Sequence, residues 1–200
     1  MVSRYYRRMN EPKGPGGRPR SEQAREAVLH AVDDLLLEVG YAALTMKGIA
    51  ERAGVGRQTV YRWWATKAEV LFEASVADAA DELAVPPAGT PLADVTAYLD
   101  AFVRFLAHSP AGIAYRTLLG AAQHDPAVKE LIGTHDTLVA SARAVVERVR
   151  PGRDVSDQEA AALIGPALLW VMTGRDPARL DTGELARDFL RAGRGAPSAR

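Results

Sequence analysis

The segment that most restricts the fold of this chain is residues 44–67, LTMKGIAERAGVGRQTVYRWWATK. Its spacing predicts two short helices, about Thr45–Arg52 and Arg57–Trp63. Gly54 lies between them, where a tight turn needs a residue that accepts a positive φ. Ala50 is small enough to let the second helix pass over the first. The segment therefore predicts two short helices that cross at a fixed angle.

A longer helix is predicted before this pair, with Ser21 as its N-cap. Gly40 is expected to end it at the C′ position. Ile49 and Val60 have the spacing to hold the two short helices against it. Its own apolar positions recur at helical intervals: Val28, Ala31, Val32, Leu35, Leu36 and Val39. The predicted boundaries are 21–81 for the three-helix domain and 45–64 for the helix-turn-helix within it.

The rest of the chain carries helix signals and no alternating apolar stretch long enough for a strand. Cap residues, followed in three places by proline, predict where helices begin: Thr66, Thr90-Pro91, Ser109-Pro110, Asp125-Pro126, Ser156 and Asp181. The break at 86–89 separates the first domain from a second. We predict an all-α fold of about nine helices, with a second helical domain at 90–193 and a flexible tail at 194–200.

Charge is unevenly distributed along the chain. The whole sequence has 25 basic and 25 acidic residues, but residues 1–20 contain six basic residues and one acidic residue. A basic arm on a mildly acidic body is a common arrangement in proteins that contact DNA at one end. We predict a flexible basic arm at 1–20, whose Arg18 and Arg20 adjoin the first helix and could reach a minor groove. The alternative is a solvated tail.

Several classes of protein are disfavoured by composition. The chain has no cysteine, which excludes disulfides and thiolate metal sites. It lacks an apolar run of about 18 residues, so we expect no membrane span. Its four histidines fall in no metal-ligand spacing, and there is no nucleophile-elbow serine or phosphate-binding glycine loop after a strand. We expect a cytoplasmic protein that is not an enzyme and holds no metal or cofactor.

The 44–67 segment and the helices on either side of it resemble the tetracycline-repressor (TetR) family of transcription regulators. The resemblance covers about Ser21–Ala80 and depends on three helices in order. The residues that carry it are Gly40-Tyr41, Leu44-Thr45, Ile49-Ala50, Ala53-Gly54-Val55, Thr59-Val60-Tyr61 and Lys67. The resemblance implies a sequence-specific regulator of transcription, most often a repressor that a small-molecule effector releases from operator DNA.

Exposed positions on the second short helix have the side chains that read DNA. Arginine and glutamine make bidentate contacts with base edges, and hydroxyl and phenol groups contact phosphates. The resemblance places Arg57, Gln58, Thr59 and Arg62 toward the major groove. It places phosphate contacts at Thr45, Tyr61 and Lys67. The full set of predicted DNA-binding residues is Arg18, Arg20, Thr45, Lys47, Arg57, Gln58, Thr59, Tyr61, Arg62, Trp63 and Lys67.

The segment departs from the family pattern at several positions. Gly56 stands where a serine-like cap is usual, which would fix the entry to the second short helix less firmly. Trp63-Trp64 replaces the common histidine-phenylalanine pair. We expect Trp64 in the core, and Trp63 either on the DNA sugar backbone or at the edge of the domain. Gly48 within a helix costs about 1 kcal/mol relative to alanine and has no explanation in the sequence.

The C-terminal two-thirds of the chain is predicted to bind an effector and to form a homodimer. The stretch 160–171 is apolar nearly all round, as expected of a helix covered on both sides. The resemblance implies a small-molecule pocket in the central helices, which aromatic side chains could line: Tyr98, Phe102, Phe105, Tyr115 and Trp170. The predicted dimer contacts are Leu163, Ala167, Trp170, Leu185 and Phe189.

One alternative function remains open on the sequence. The chain could be a helical ligand- or protein-binding module whose three-helix domain has lost its affinity for DNA. Gly48 and Gly56 leave room for this, because both weaken short helices. Steep salt dependence of binding to a duplex would distinguish the two.

Overall fold

The computed structural model describes residues 18–134 and 136–192, with only the backbone of 18–20. Within these residues the fold is helical with no strand, which confirms the all-α prediction. The α-helices of the described residues are α1 (Arg18–Ala43), α2 (Met46–Arg52), α3 (Arg57–Trp63), α4 (Lys67–Glu82), α5 (Pro91–His108), α6 (Pro110–Ala121), α7 (Pro126–Thr134), α8 (Thr137–Val149), α9 (Asp157–Met172) and α10 (Thr182–Ala192). One 3-10 turn, Pro177–Arg179, lies between α9 and α10.

The first helix differs from its predicted start. Ser21 is not its N-cap, because α1 already begins at Arg18. A helix can begin there because Pro19 falls in the first turn, where a missing amide proton costs no hydrogen bond. Gly40 interrupts the helical backbone as predicted, with φ 72° and ψ 166°.

Most of the predicted capping residues occupy the position expected of them. Thr66 accepts a hydrogen bond from the Glu69 amide at 3.2 Å, and Ser156 accepts one from the Glu159 amide at 3.1 Å. Ser109 differs, because it lies at the N-cap of α6 but makes no capping bond with its side chain. These local signals explain why the helix starts could be predicted.

The N-cap of helix α8 was not among the predicted capping residues. Its N-cap is Asp136, whose side chain accepts a hydrogen bond from the Val139 amide at 3.0 Å. The helix carries Leu138, Ala142 and Val145 into the core.

One hydrophobic core continues through the described residues, from Val28 in α1 to Ala186 in α10. Helix α4 packs against both α1 and α6, and α5 contacts α6, α8, α9 and α10. Helices α5 and α6 approach closely at Gly112, where a Cβ atom would lie 1.9 Å from the carbonyl oxygen of Phe105. The three N-terminal helices are therefore fixed on the body through α1 and α4. None of the helices described is both long and apolar enough to cross a membrane.

The segment between α4 and α5 is bonded to the body. The Asp94 carboxylate, which is buried, accepts a hydrogen bond from the Ala88 amide and pairs with Arg148 Nε at 3.3 Å. Arg148 also donates to the Val85 carbonyl at 2.9 Å. The Ser109 hydroxyl donates to Glu82 Oε1 at 2.6 Å. We call Asp94, Arg148 and the two backbone groups they bind the linker clamp.

Candidate DNA-binding surface

Helices α2 and α3 form the predicted helix-turn-helix. Gly54, with φ 66°, supplies the left-handed backbone of the turn. The Val55 amide donates to the Ala50 carbonyl at 3.0 Å, which closes the turn. Ile49 and Val60 are completely buried and hold one face of each helix in the core. The opposite face of α3 is thereby turned outward.

The start of α2 explains Gly48. Thr45 is the N-cap, and its Oγ1 accepts a hydrogen bond from the Gly48 amide at 3.0 Å. A Cβ atom at position 48 would lie 3.2 Å from that same Oγ1. Glycine therefore leaves the cap uncrowded, which offsets its poor helix propensity.

The outward face of α3 carries four of the predicted DNA-binding residues. Arg57, Gln58, Tyr61 and Arg62 are all exposed, and their spacing of one, three and one residues places them on one side of the helix. Tyr61 is 56% exposed, which is unusual for a large aromatic side chain. Thr59 is half-buried beside them. Hydrogen-bonding groups of four different kinds thus lie on this surface.

The start of α3 is held by the backbone alone. Gly56 is its N-cap and makes no side-chain capping bond, as the departure from the family pattern predicted. The Thr59 amide donates to the Gly56 carbonyl at 2.9 Å. Restraint on the direction of α3 therefore comes mainly from its buried face and its C-terminal end.

Thr45 and Lys47 lie at the exposed start of α2. Thr45 accepts a bond through its hydroxyl oxygen, and the hydroxyl proton remains a donor. The Lys47 side chain is 60% exposed, with its ammonium 3.6 Å from Glu51. An exposed pair of this kind is weak enough for an anion to displace.

Lys67 has a structural position that the sequence did not reveal. Its Nζ donates to the Tyr41 carbonyl at 2.7 Å and the Leu44 carbonyl at 2.9 Å, and lies 4.4 Å from the centre of the Tyr41 ring. The ammonium therefore joins the start of α4 to the end of α1. One of its three protons remains for a further acceptor.

The two tryptophans at the end of α3 have different surroundings. Trp64 is 2% exposed, which confirms its predicted place in the core. Trp63 is half-buried, with its ring edge-to-face to Trp64 at 5.4 Å and the Arg62 guanidinium 5.1 Å from its centre. Its contacts within the chain are those of a side chain at the edge of the domain.

Sequence reasoning missed the ion pairs that hold these helices together. Arg52 of α2 pairs with Glu38 of α1 through both carboxylate oxygens, and Asp34 lies 3.7 Å away. The hydrogen bond from Arg52 holds the pKa of Glu38 below its usual value. These contacts span 14 or more residues, and no local pattern marks them.

Arg18 and Arg20 lie in the first turn of α1, and their side chains are outside the described residues. The rest of the predicted basic arm, 1–17, is outside them as well.

Four of the five aromatic side chains predicted to line an effector pocket are packed in the core. Tyr98, Phe102, Phe105 and Tyr115 are at most 1% exposed. The hydroxyl of Tyr98 is hydrogen-bonded to Ser141 Oγ at 2.7 Å, and burial raises the pKa of both tyrosines. A groove of about 520 Å³ lies elsewhere, lined by the residues Gly133, Thr134, Asp136, Val139, Ala140, Arg143, Asp157, Gln158 and Ala161. None of the predicted ligand residues lines this groove.

The predicted dimer residues divide between the core and the surface. Leu163 and Ala167 are buried within the chain, because α9 turns them toward its own core. Both side chains therefore have little surface left for a partner subunit, and their place on a subunit interface stays a prediction. Trp170, Leu185 and Phe189 are half-buried, and Trp170 Nε1 donates to the Asp176 carbonyl at 2.9 Å. The outward face of α9 carries exposed apolar side chains instead, with Leu169 65% and Met172 41% exposed.

Comparisons with known proteins bear on both parts of the chain. Residues 28–74 match the sequence model of a family described as bacterial regulatory proteins, tetR family. YdeS of Bacillus subtilis (strain 168), an uncharacterized HTH-type transcriptional regulator, is 41% identical over 114 residues. The alignment spans 57% of this chain and 57% of YdeS, so little more than half of that relative is matched.

Solved structures match over most of the chain. The TetR family transcription regulator SCO0332 aligns with a TM-score of 0.64 and 27% identity, covering 88% of this chain and 99% of SCO0332. The multidrug binding protein EbrR, solved with imidazole, has a TM-score of 0.62 and 19% identity, covering 94% and 100%. At 19% identity, the similarity to EbrR shows the fold alone.

The N-terminal three-helix unit is similar to the tetR family of bacterial regulatory proteins over residues 28–74, and the whole described fold is similar to that of SCO0332.

Proposed function

We propose that this protein is a sequence-specific DNA-binding regulator of transcription that uses α3 as its recognition helix. The observation that carries the proposal is the exposed face of α3, where Arg57, Gln58, Tyr61 and Arg62 lie opposite the completely buried Val60. A helix fixed on one side that offers guanidinium and amide groups on the other matches the needs of major-groove recognition.

We assign base contacts and phosphate contacts to different residues. Arg57, Gln58 and Arg62 can make bidentate contacts with guanine or adenine, and Thr59 can add a hydroxyl contact. Thr45, Lys47, Tyr61 and Lys67 are assigned to phosphates, and Arg18 and Arg20 to the adjacent minor groove. Trp63 is assigned to the sugar backbone at the edge of the contact. Phosphate contacts set the position of the protein, and base contacts set its preference.

The protein is proposed to act as a homodimer. One helix-turn-helix reads few base pairs, so two copies on half-sites about 34 Å apart give useful specificity. Leu169 and Met172 of α9 are exposed apolar side chains that a second copy would cover, and we assign the half-buried Trp170, Leu185 and Phe189 to the same interface.

A small-molecule effector is proposed to control DNA binding, most simply by releasing a repressor from its operator. EbrR is described as a multidrug binding protein, which supports a ligand site in a body of this fold. Tyr98, Phe102, Phe105 and Tyr115 remain the proposed aromatic lining, with Trp170 at its edge. Because the first four are closely packed, a ligand among them requires the surrounding helices to separate.

The test is selection of bound duplexes from a randomised library, followed by affinity measurements at several salt concentrations. We expect one enriched sequence and a steep fall in affinity with salt, because several phosphates are neutralised. Arg57→Ala should relax base preference by about 1–3 kcal/mol. Arg104→Ala, which removes an exposed arginine of α5, is the matched control and should change neither property. Absence of any enriched sequence would favour the alternative of a module without DNA affinity.

A further inference from the structure

The residue that follows α3 meets one residue from α1 and one from α4. The indole Nε1 of Trp64 donates to Glu73 Oε2 at 2.9 Å. The other carboxylate oxygen, Glu73 Oε1, pairs with Arg25 at 2.5 Å. Arg25 lies in α1, Trp64 directly follows α3, and Glu73 lies in α4. We call these three residues the recognition-helix joint.

The joint is shielded from water. Trp64 is 2% exposed, and the side chains of Glu73 and Arg25 are 15% and 31% exposed. Burial raises the pKa of Glu73, while Arg25 and the Trp64 hydrogen bond oppose the rise. A hydrogen bond to a carboxylate in such surroundings is stronger and more directional than one in water.

Few other contacts fix the direction of α3. The helix has seven residues, of which Val60 alone is fully buried, and its N-cap Gly56 provides no side-chain bond. Apolar packing of Val60 and Trp64 holds the helix in place but is not directional. The hydrogen bond from the indole to Glu73 is the directional contact at the end of α3.

We propose that Glu73 is a positioning residue that sets the orientation of α3 through the Trp64 indole, and thereby the discrimination between base sequences. The proposal rests on the proposed DNA-binding function. Arg25 holds the Glu73 carboxylate in place and compensates its charge. A phenylalanine at position 64 would fill much of the same space without this contact, so the tryptophan is what links α3 to Glu73.

A positioning role and a purely structural role predict different results. If the joint only stabilises the fold, its loss lowers the free energy of unfolding and leaves the ratio of specific to random DNA affinity unchanged. If it orients α3, that ratio falls while affinity for random DNA stays, because phosphate contacts tolerate small rotations better than bidentate base contacts.

The experiment compares Trp64→Phe and Glu73→Gln with the wild type, using the duplex that the wild type enriches from a randomised library and a random duplex of equal length. We expect Trp64→Phe to lower the affinity ratio about tenfold, the equivalent of one hydrogen bond to a charged group. Glu73→Gln keeps an acceptor for the indole but loses the charge that attracts Arg25, so its decrease should be smaller.

Ser141→Ala is the matched control, because it removes one hydrogen bond of similar burial, to Tyr98 in the body. It should leave the affinity ratio unchanged. Hydrogen exchange of the Trp64 indole proton, followed by NMR without DNA, should accelerate in Glu73→Gln and remain slow in Ser141→Ala.

The outcomes separate the two proposals. If the wild type discriminates between the two duplexes and both joint variants keep its ratio within about twofold, the positioning role is wrong and the proposed function stands. If Trp64→Phe does not fold, the ratio for Glu73→Gln decides in the same way. If the wild type enriches no duplex, the proposed function fails and the positioning role fails with it.

Discussion

Lys67 is a residue whose position serves the fold as well as a proposed contact with DNA. Its ammonium bonds two backbone carbonyls at the end of α1, and one proton remains for a phosphate. Lys47 is a simpler case, because its ammonium is exposed beside Glu51. A charge at either position attracts DNA, but only one of them holds two helices together.

We expect Lys67→Met to lower the free energy of unfolding by about 1–3 kcal/mol, because it removes the ammonium donor from the Leu44 carbonyl and leaves the Tyr41 carbonyl with the Leu44 amide alone. Lys47→Met removes an exposed charge and should change stability by less than about 0.5 kcal/mol. Chemical denaturation of the two variants measures the difference. Equal free energies of unfolding would show that water replaces the lysine ammonium as the hydrogen-bond donor to these carbonyls.

Asp33 of α1 should make stability depend on pH. Burial, followed by the charge of Asp78, raises its pKa to about 6, and His30 opposes the rise. The unfolded chain loses this proton near pH 3.9. The folded state therefore binds the proton more tightly, and the contribution of Asp33 to stability is lost as pH rises from about 4 to about 6.

We expect Asp33→Asn to raise the free energy of unfolding by about 1 kcal/mol above about pH 7, a value reduced for partial solvent screening. Near pH 4 and below, the variant and the wild type should converge. Glu26→Gln, which neutralises an exposed carboxylate of the same helix, is the control. Denaturation curves across this pH range measure the effect, and a constant difference at every pH would contradict it.

At the scale of the element, the turn between α2 and α3 depends on backbone conformation alone. Gly54 has φ 66°, and a Cβ atom added there meets nothing within 4 Å. The cost of another residue is therefore conformational and not steric crowding. Gly120 also has open space around it, but its backbone belongs to helix α6 and has no positive φ.

We expect Gly54→Ala to destabilise the protein by about 1–2 kcal/mol, the cost of a left-handed conformation with a side chain. Gly120→Ala should instead be neutral or stabilise by up to about 1 kcal/mol. Thermal unfolding of both variants provides the comparison. A Gly54→Ala protein as stable as the wild type would mean that the turn can adopt another geometry.

Elements proved easier to predict from the sequence than the contacts between them. Thr45, Gly54 and Thr66 act through neighbours within four residues, so the sequence predicted their elements. Glu73 binds Arg25 across 48 positions of the chain, and no local pattern marks such a pair. The predicted start of α1 was wrong, because a proline in the first turn permits a helix that begins before the apolar positions of that helix.

For the whole molecule, the proposed dimer depends on the outward face of α9. Leu169 is 65% exposed there, although it is a large apolar side chain. Leu92, at the start of α5, is 39% exposed and lies on another helix. The two leucines allow the same substitution to be tested on and off the proposed interface.

We expect Leu169→Glu to convert a dimer into a monomer, because a charge buried at an apolar interface costs several kcal/mol. Affinity for an operator should also fall, because a monomer contacts only one half-site. Leu92→Glu should leave the molecular mass of the protein in solution unchanged. Sedimentation at micromolar protein concentration distinguishes monomer from dimer. A Leu169→Glu protein that remains dimeric would show that the interface lies elsewhere.

The linker clamp has a consequence for the proposed recognition of operator DNA, namely for the distance between its two half-sites. Because Val85 and Ala88 are bonded to Arg148 and Asp94, the segment after α4 is held on the body, and α4 also packs on α1 and α6. Adding one base pair between half-sites turns one of them by about 34° around the duplex axis and moves it along that axis. The proposed dimer would not follow this rotation if its clamped segments stay in place, so we expect it to discriminate spacer length as strictly as base sequence.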